Sequence, residues 1–497
     1  MENGEDRNDS QVPAEADDER PSFKTREQVY DRIGTQPDPV GEAPGQGVEA
    51  PERGAANGAD ALDAERETEA AVDLQKHGAK RPTADTDGDG KAKPVYPRPR
   101  PSSKVCILSI DGGGVRGVIP SKILTRLEQM LAEKSGDPDA RVADYFDLVA
   151  GTSAGGILAV TLLAPNEAGR PMFSAAEAGT FFTRHAGTIF PRNKHTVKVW
   201  RLVKNVFRPA YRARPLEKLL ASYLTTPAGK TLTLKDILRP VLITTYDILH
   251  ARPLFFFCQR ARLSPSHDYL LTDVCRATSA APALFPPARI SSVDQKNRRV
   301  CVDGGVIANN PALAAVHHVM ANTEDFPTDG PARRSCRDML VLSIGAGQDE
   351  TTLEYEQTRK WGMAKWAGAL LDVMVFGNAN MTHYQLCIAF DSEGARDNYL
   401  RIETTRLPKQ SKVLDNTHPR NLARLSALAD ECLTERARYY DPEVGHLVPM
   451  GQTNEERLDR FADQLVAERR ARLQQQPHRS GLSDGATNVD EARAFEQ

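Results

Sequence analysis

The hydrophobic pattern begins abruptly. Before Val105 the apolar residues stand singly among Gly, Pro, Ala, Asp and Glu, with no period of two or of 3.6. Such a stretch cannot bury enough apolar area to offset its chain entropy, so residues 1–100 are expected to be a disordered acidic extension. From Val105 onward, solid apolar runs alternate with helical patterns. VCILSI predicts a buried strand, IPSKILTRLEQMLAE a helix, FDLVAG a second strand and ILAVTLL a second helix. VLITTYD, LFFF and RRVCVDGG predict further strands, and MLVLSIGAG a strand ending in glycines. Strands alternating with helices predict an α/β fold, a mainly parallel central sheet with helices on both faces. Near the end, EERLDRFADQLVAERRARLQ predicts an amphipathic helix with Leu458, Phe461, Leu465 and Val466 on its apolar side. There is no internal repeat. The expected organisation is an extension over 1–100, one α/β domain over 101–475 and a flexible tail over 476–497.

Charge sharpens that division. The chain has 497 residues and a net charge of −3; residues 1–100 hold 14 Lys+Arg against 23 Asp+Glu, the remainder 50 against 44. No strong basic excess covers the chain, so nucleic acid is not expected as a partner. The opening MENGEDRNDS is acidic and lacks an apolar core, so no signal peptide is expected. The uncharged run Leu148–Pro165 is long enough for a membrane span, but its AGTSAGG fits a sharp turn better, and no transmembrane helix is read. Seven scattered cysteines, with no CxxC pair and no metal-ligand spacing, predict a reduced cytoplasmic compartment, buried thiols and no metal or other cofactor. DTDGDG (Asp85, Asp87, Asp89, Gly90) mimics the front of a calcium loop, but the twelfth position is Tyr96 rather than a bidentate acid. It reads as a solvated turn, and PVYPRPRP (Pro94–Pro101) as a stiff linker.

Two glycine-rich turns carry the candidate chemistry. In Gly151-Thr152-Ser153-Ala154-Gly155-Gly156, between a strand and a helix, small residues at −2 and +2 let the backbone crowd a nucleophilic serine at the apex. The helix that follows points its N-terminus at that serine, favouring developing negative charge. In Asp111-Gly112-Gly113-Gly114-Val115-Arg116-Gly117 the dinucleotide reading lacks an acid after a second strand, and the phosphate-loop reading lacks GK[ST]. The remaining use is an oxyanion hole of glycine N–H groups, with Arg116 adding positive charge. A serine needs a base. The residues leave two arrangements open: Asp303 in VDGGVIANNP acting directly on Ser153, or a triad through His317 or His318 on the helical pattern behind it.

DGGGVRG, GTSAGG and VDGGVIANNP, in this order and at these separations, resemble the patatin-like phospholipase family. ATSAAPALFPP (Ala277–Pro287), VLSIGAG (Val341–Gly347), NYLRIE (Asn398–Glu403) and FADQLVAER extend the resemblance over Lys104 to Arg472. It implies a fold related to the α/β-hydrolases, with Ser153 as nucleophile and Asp303 as base of a Ser–Asp dyad. It matches Gly112, Gly113, Gly114, Arg116 and Gly117 to the oxyanion element and implies no catalytic metal. The implied activity is hydrolysis of fatty-acyl esters of membrane phospholipids or related lipids. A lipid-binding protein with a spent site is the competing class, which the intact motif residues argue against. The family spans storage lipases, host-directed toxins and small-molecule-activated effectors, so a regulatory activator stays open as a partner.

A lipid substrate also requires a way onto the membrane. Between Glu177 and Glu217 there are nine Lys/Arg and no acid. Drawn as a helix, Val199, Leu202, Val203, Val206 and Phe207 share one arc, and Lys194, Lys198, Arg201, Lys204 and Arg208 the opposite one. That is the form of an interfacial helix on an anionic membrane. Lys198, Trp200, Arg201, Lys204 and Arg208 are the candidate membrane contacts, with a core-packed helix as the alternative.

Overall fold

Five short strands, buried along almost their whole length, sit side by side at the centre of the main sheet. The computed structural model describes residues 103–191, 208–328, 332–348 and 354–474. Outside them lie the acidic extension with DTDGDG and the proline linker, the basic-segment residues Lys198, Trp200, Arg201 and Lys204, and the tail after Gln474.

The strands are β1 (Val105–Ile110), β2 (Leu148–Thr152), β3 (Val241–Asp247), β4 (Arg252–Phe257), β5 (Ala288–Ser291), β6 (Arg298–Asp303), β7 (Met339–Ile344) and β8 (Tyr399–Ile402). The order β3-β2-β1-β7-β8 is parallel throughout. β4, β5 and β6 add antiparallel pairs at the β3 side. A two-stranded hairpin of β9 (Arg436–Asp441) and β10 (His446–Thr453) stands apart from this sheet. The fold is therefore the expected mainly parallel α/β sheet.

Both faces are covered, as continuous apolar strands require. Side chains alternate along a strand, so Cys106, Leu108 and Ile110 of β1 enter one apolar core while Val105 and Ile107 enter another. The first core packs helices Val118–Ser135, Ala154–Leu163, Ala175–Ile189, Leu271–Thr278, Pro419–Thr434 and Asn454–Gln474. The second packs helix Ala312–Ala321 and the C-terminal half of helix Met363–Ser392. In the last helix Leu458, Phe461, Leu465 and Val466 are all buried, as its periodicity predicts. The uncharged run at Leu148 is β2, a turn and a helix rather than one span. All seven cysteines are free and buried.

One detail of the topology positions the site. β4 occupies one edge of β3 from Leu242 to Asp247. β2 and β6 must therefore share the other edge. β2 runs along it to the pair Thr152–Thr244, and β6 meets it antiparallel, with Asp303 opposite Thr245. Two strands approaching from opposite directions thus end at adjacent positions of β3, one delivering Ser153 and the other Asp303.

Candidate active site

Ser153 takes φ 53° and ψ −122°, between the end of β2 and helix Ala154–Leu163. A non-glycine residue held in so sparse a region costs about 1–3 kcal/mol and persists only where its neighbours fix it. Here the Ser153 N–H donates to Thr278 Oγ1 at 2.8 Å, and that hydroxyl donates to the Thr244 carbonyl at 2.7 Å. Thr152 Oγ1 donates to the Ala308 carbonyl at 2.7 Å. A side chain at Gly155 would fall onto the carbonyl oxygens of Ile110 and Asp111. Only glycine lets the helix begin this close to β1, and that closeness keeps the turn sharp.

Asp303 Oδ2 accepts the Ser153 hydroxyl at 2.6 Å, and its Oδ1 accepts the Gly305 N–H at 2.7 Å. The carboxyl is buried, and burial pushes its pKa up to about 6 against the opposing pull of those two hydrogen bonds. It is thus charged at neutral pH and more basic than an ordinary carboxylate. The histidines are elsewhere. His317 is exposed. His318 stacks on Phe257 with ring centroids 4.3 Å apart, and burial lowers its pKa to about 4. Neither lines the cavity above Ser153. The triad arrangement has no geometric support, whereas aspartate and serine are in direct contact.

Gly112, Gly113, Gly114 and Arg116 line the same cavity as Ser153 and Asp303. The Gly112 N–H is committed to the Asn309 carbonyl at 3.1 Å. The N–H groups of Gly113 and Gly114 have no backbone acceptor among the described residues. Gly114 has φ 57°, a left-handed conformation that glycine adopts without cost. Arg116 departs from the simple expectation of a charge aimed at the oxyanion. It is buried, with Nε donating to the Gly113 carbonyl at 3.3 Å and Nη1 to the Gly347 carbonyl at 2.9 Å. It fastens the glycine loop. Gly117 does not line the cavity, and a side chain there would fall against the Phe182 ring. The requirement for glycine there is one of packing.

Sequence reasoning missed the support beneath the loop. Arg401 of β8 grips Asp111 through two bonds of 2.8 and 2.6 Å and also contacts Glu403. Glu403 in turn accepts the Gly347 N–H at 2.6 Å. Asn378, on helix Met363–Ser392, accepts the Asn309 N–H at 2.8 Å and donates to the Gly305 carbonyl at 3.0 Å. The segments NYLRIE and ANNP contain Arg401 and Asn309, but nothing in their spacing tells where they point.

The cavity encloses about 950 Å³ including its open mouth. Above the Ser153 turn its walls are apolar, with Ile157, Phe182, Phe190, Leu216, Phe376 and Leu414. An apolar chamber ending at a few convergent polar groups is suited to an acyl chain whose ester must be held at one point.

A serine at a strained strand–helix turn, at the C-terminal end of a mainly parallel sheet and under an apolar cavity, defines an α/β acyl-hydrolase type of architecture. The family described as patatin-like phospholipase matches residues 108–316. Patatin-like protein 8 of Arabidopsis thaliana is 36% identical over 387 residues, covering 75% of this chain and 72% of that protein. The "probable inactive patatin-like protein 9" of the same plant is 34% identical over 390 residues, covering 77% and 93%. The crystal structure of VipD from Legionella pneumophila overlaps 72% of this chain and 73% of its own at a TM-score of 0.29 and 13% identity, too remote to add to the assignment. The chain belongs to the patatin-like phospholipase family, a family of lipid acyl hydrolases. Among the described residues no helix is long and apolar enough to cross a membrane.

Proposed function

We propose that this chain is an active phospholipase A-type hydrolase, cleaving fatty-acyl esters of membrane phospholipids through a Ser153–Asp303 dyad. The 2.6 Å contact between Ser153 Oγ and Asp303 at the floor of an apolar cavity carries this reading. Asp303 takes the hydroxyl proton as Ser153 attacks the ester carbonyl. The oxyanion is received by the N–H groups of Gly113 and Gly114, and each such donor is worth about 3–4 kcal/mol in the transition state. The lysolipid alkoxide leaves with the proton from Asp303. Water, deprotonated by the same carboxylate, then attacks the acyl-enzyme and releases the fatty acid. The intact pair supports an active site rather than a lipid-binding relic, and its directness supports aspartate rather than a histidine as base.

Ser153→Ala and Asp303→Asn are each expected to lower phospholipid hydrolysis by at least about a hundredfold, the usual scale for losing a general base. Ser153→Ala should also abolish labelling by a fluorophosphonate probe. The double variant His317→Gln, His318→Gln should keep wild-type turnover. An Asp303→Asn protein retaining more than about a tenth of the activity would exclude the dyad, since a general base contributes more than that.

A further inference from the structure

Exposed large apolar side chains among the described residues concentrate on one element. Met363, Trp366, Leu370, Val373, Met374 and Met381 all project from helix Met363–Ser392 and are between 41% and 88% exposed. At 100° per residue these six fall within an arc of about 100°. The side chains that this helix gives to the Ser153 cavity (Leu371, Asp372, Val375 and Phe376) fall on the other side. One helix therefore walls the acyl cavity with one face and shows an apolar face to the outside.

A soluble helix rarely exposes a continuous apolar stripe of this kind without a partner. The charges beside it indicate which partner. Arg359 is paired with Glu356 at 2.6 Å, and from Lys360 to His383 the sequence holds Lys360 and Lys365 against one acid, Asp372, which lies on the cavity side. Trp361 and Trp366 pair edge to face at 5.5 Å where the helix begins. Tryptophan beside lysine at the end of an apolar stripe is the chemistry of a water–lipid boundary. Another cavity wall carries cations too: Leu216 lines the cavity, and Arg208, Arg212 and Arg214 just before it are exposed.

We propose that the outer face of helix Met363–Ser392 is the seat on which the protein lies on an anionic phospholipid surface, bringing the mouth of the Ser153 cavity to the bilayer. The inference rests on the lipid-hydrolase reading above and names the surface that serves it. The apolar side chains enter the interface, Lys360 and Lys365 meet phosphates, and a lipid leaves the bilayer along the wall that the same helix provides.

The test uses full-length Ser153→Ala protein, so that hydrolysis does not alter the vesicles, with phosphatidylcholine vesicles containing phosphatidylglycerol. Two of the three tryptophans lie on this segment. Vesicles of brominated lipid should quench tryptophan emission, and Trp366→Phe should remove most of the quenchable part. In the same Ser153→Ala protein, Leu370→Glu, Val373→Glu, Met374→Glu should weaken vesicle binding by at least about a hundredfold, because burial of each such side chain is worth more than about tenfold. With Ser153 intact, the triple variant should hydrolyse a soluble short-chain ester like wild type. Unquenched tryptophan, or a triple variant that still binds vesicles like wild type, overturns the seat. So does a triple variant that only converts a dimer into a monomer by light scattering, since the face then belongs to a second copy. The two readings fail separately. Vesicle binding through this face without ester turnover or fluorophosphonate labelling sinks the hydrolase reading. Ester turnover without vesicle binding sinks the seat.

Discussion

In the proposed dyad the chemistry rests on one ionisation, that of Asp303. Its carboxyl would have to be deprotonated to accept the Ser153 proton, and burial has raised its pKa to about 6. Activity is then expected above that value and should be lost as the pH falls through it. Turnover of a soluble ester per unit of free enzyme, kcat/KM, should be flat above pH 7 and fall about tenfold per pH unit below about 6. An ordinary histidine base would titrate in much the same range, so the histidine variants supply the control. His317→Gln, His318→Gln should leave the profile in place, whereas Asp303→Glu should displace it. A profile that moves with the histidines would return the triad to consideration. Ser153 and Asp303 were legible in the sequence because a strained turn writes its needs locally, in the small residues on either side. Thr278, which fixes the Ser153 backbone, was not. Its role comes from a contact across 125 positions that no spacing records.

At the scale of elements, the parallel strands other than β8 were legible because burial on both faces makes them mainly apolar runs. The direction of β4 and β6 was not, since LFFF and RRVCVDGG read alike in either orientation. β5, β8 and the hairpin are too short or too polar to stand out. The 30-residue helix Met363–Ser392 escaped for a physical reason: it is apolar on its cavity face and its outer face alike, so it shows little periodicity. Strand β8 has a consequence of its own. Arg401 crosses from it to the end of β1 and holds Asp111, and both side chains are almost fully buried. Removing one partner of such a pair leaves a buried charge uncompensated, at a cost of about 3–5 kcal/mol. Arg401→Met should lower stability by that amount in urea unfolding. Arg401→Lys should recover only part of it, because an ammonium cannot reproduce the two-pronged grip. Asp111 starts the glycine loop, so both variants should lower kcat more than they change KM. Full activity in a destabilised Arg401→Met protein would show that the clamp serves the fold alone.

For the molecule as a whole, the acidic first hundred residues and the mildly basic remainder differ most where lipid chemistry is expected. The cations of the segment between Glu177 and Glu217 and the apolar face of helix Met363–Ser392 would act on a membrane by different physics. Ionic attraction to an anionic leaflet is worth about 1 kcal/mol per Lys or Arg and decays within a Debye length, about 10 Å at 0.1 M salt. Apolar burial is insensitive to screening. Charge reversal at Lys198, Arg201, Lys204 and Arg208 should therefore weaken binding to phosphatidylglycerol vesicles strongly at low ionic strength, and the deficit should shrink as salt rises. On neutral phosphatidylcholine it should be nearly silent. The apolar-face variant should lose binding at every salt concentration. Hydrolysis of a soluble ester needs only the Ser153 cavity and serves as the internal standard for both. If charge reversal lowers soluble-ester turnover as much as vesicle binding, those residues support the fold or the cavity, and the basic segment has no separate membrane role. If it leaves vesicle binding untouched at low salt, the cations are merely solvated, and the seat on helix Met363–Ser392 must account for attachment without them.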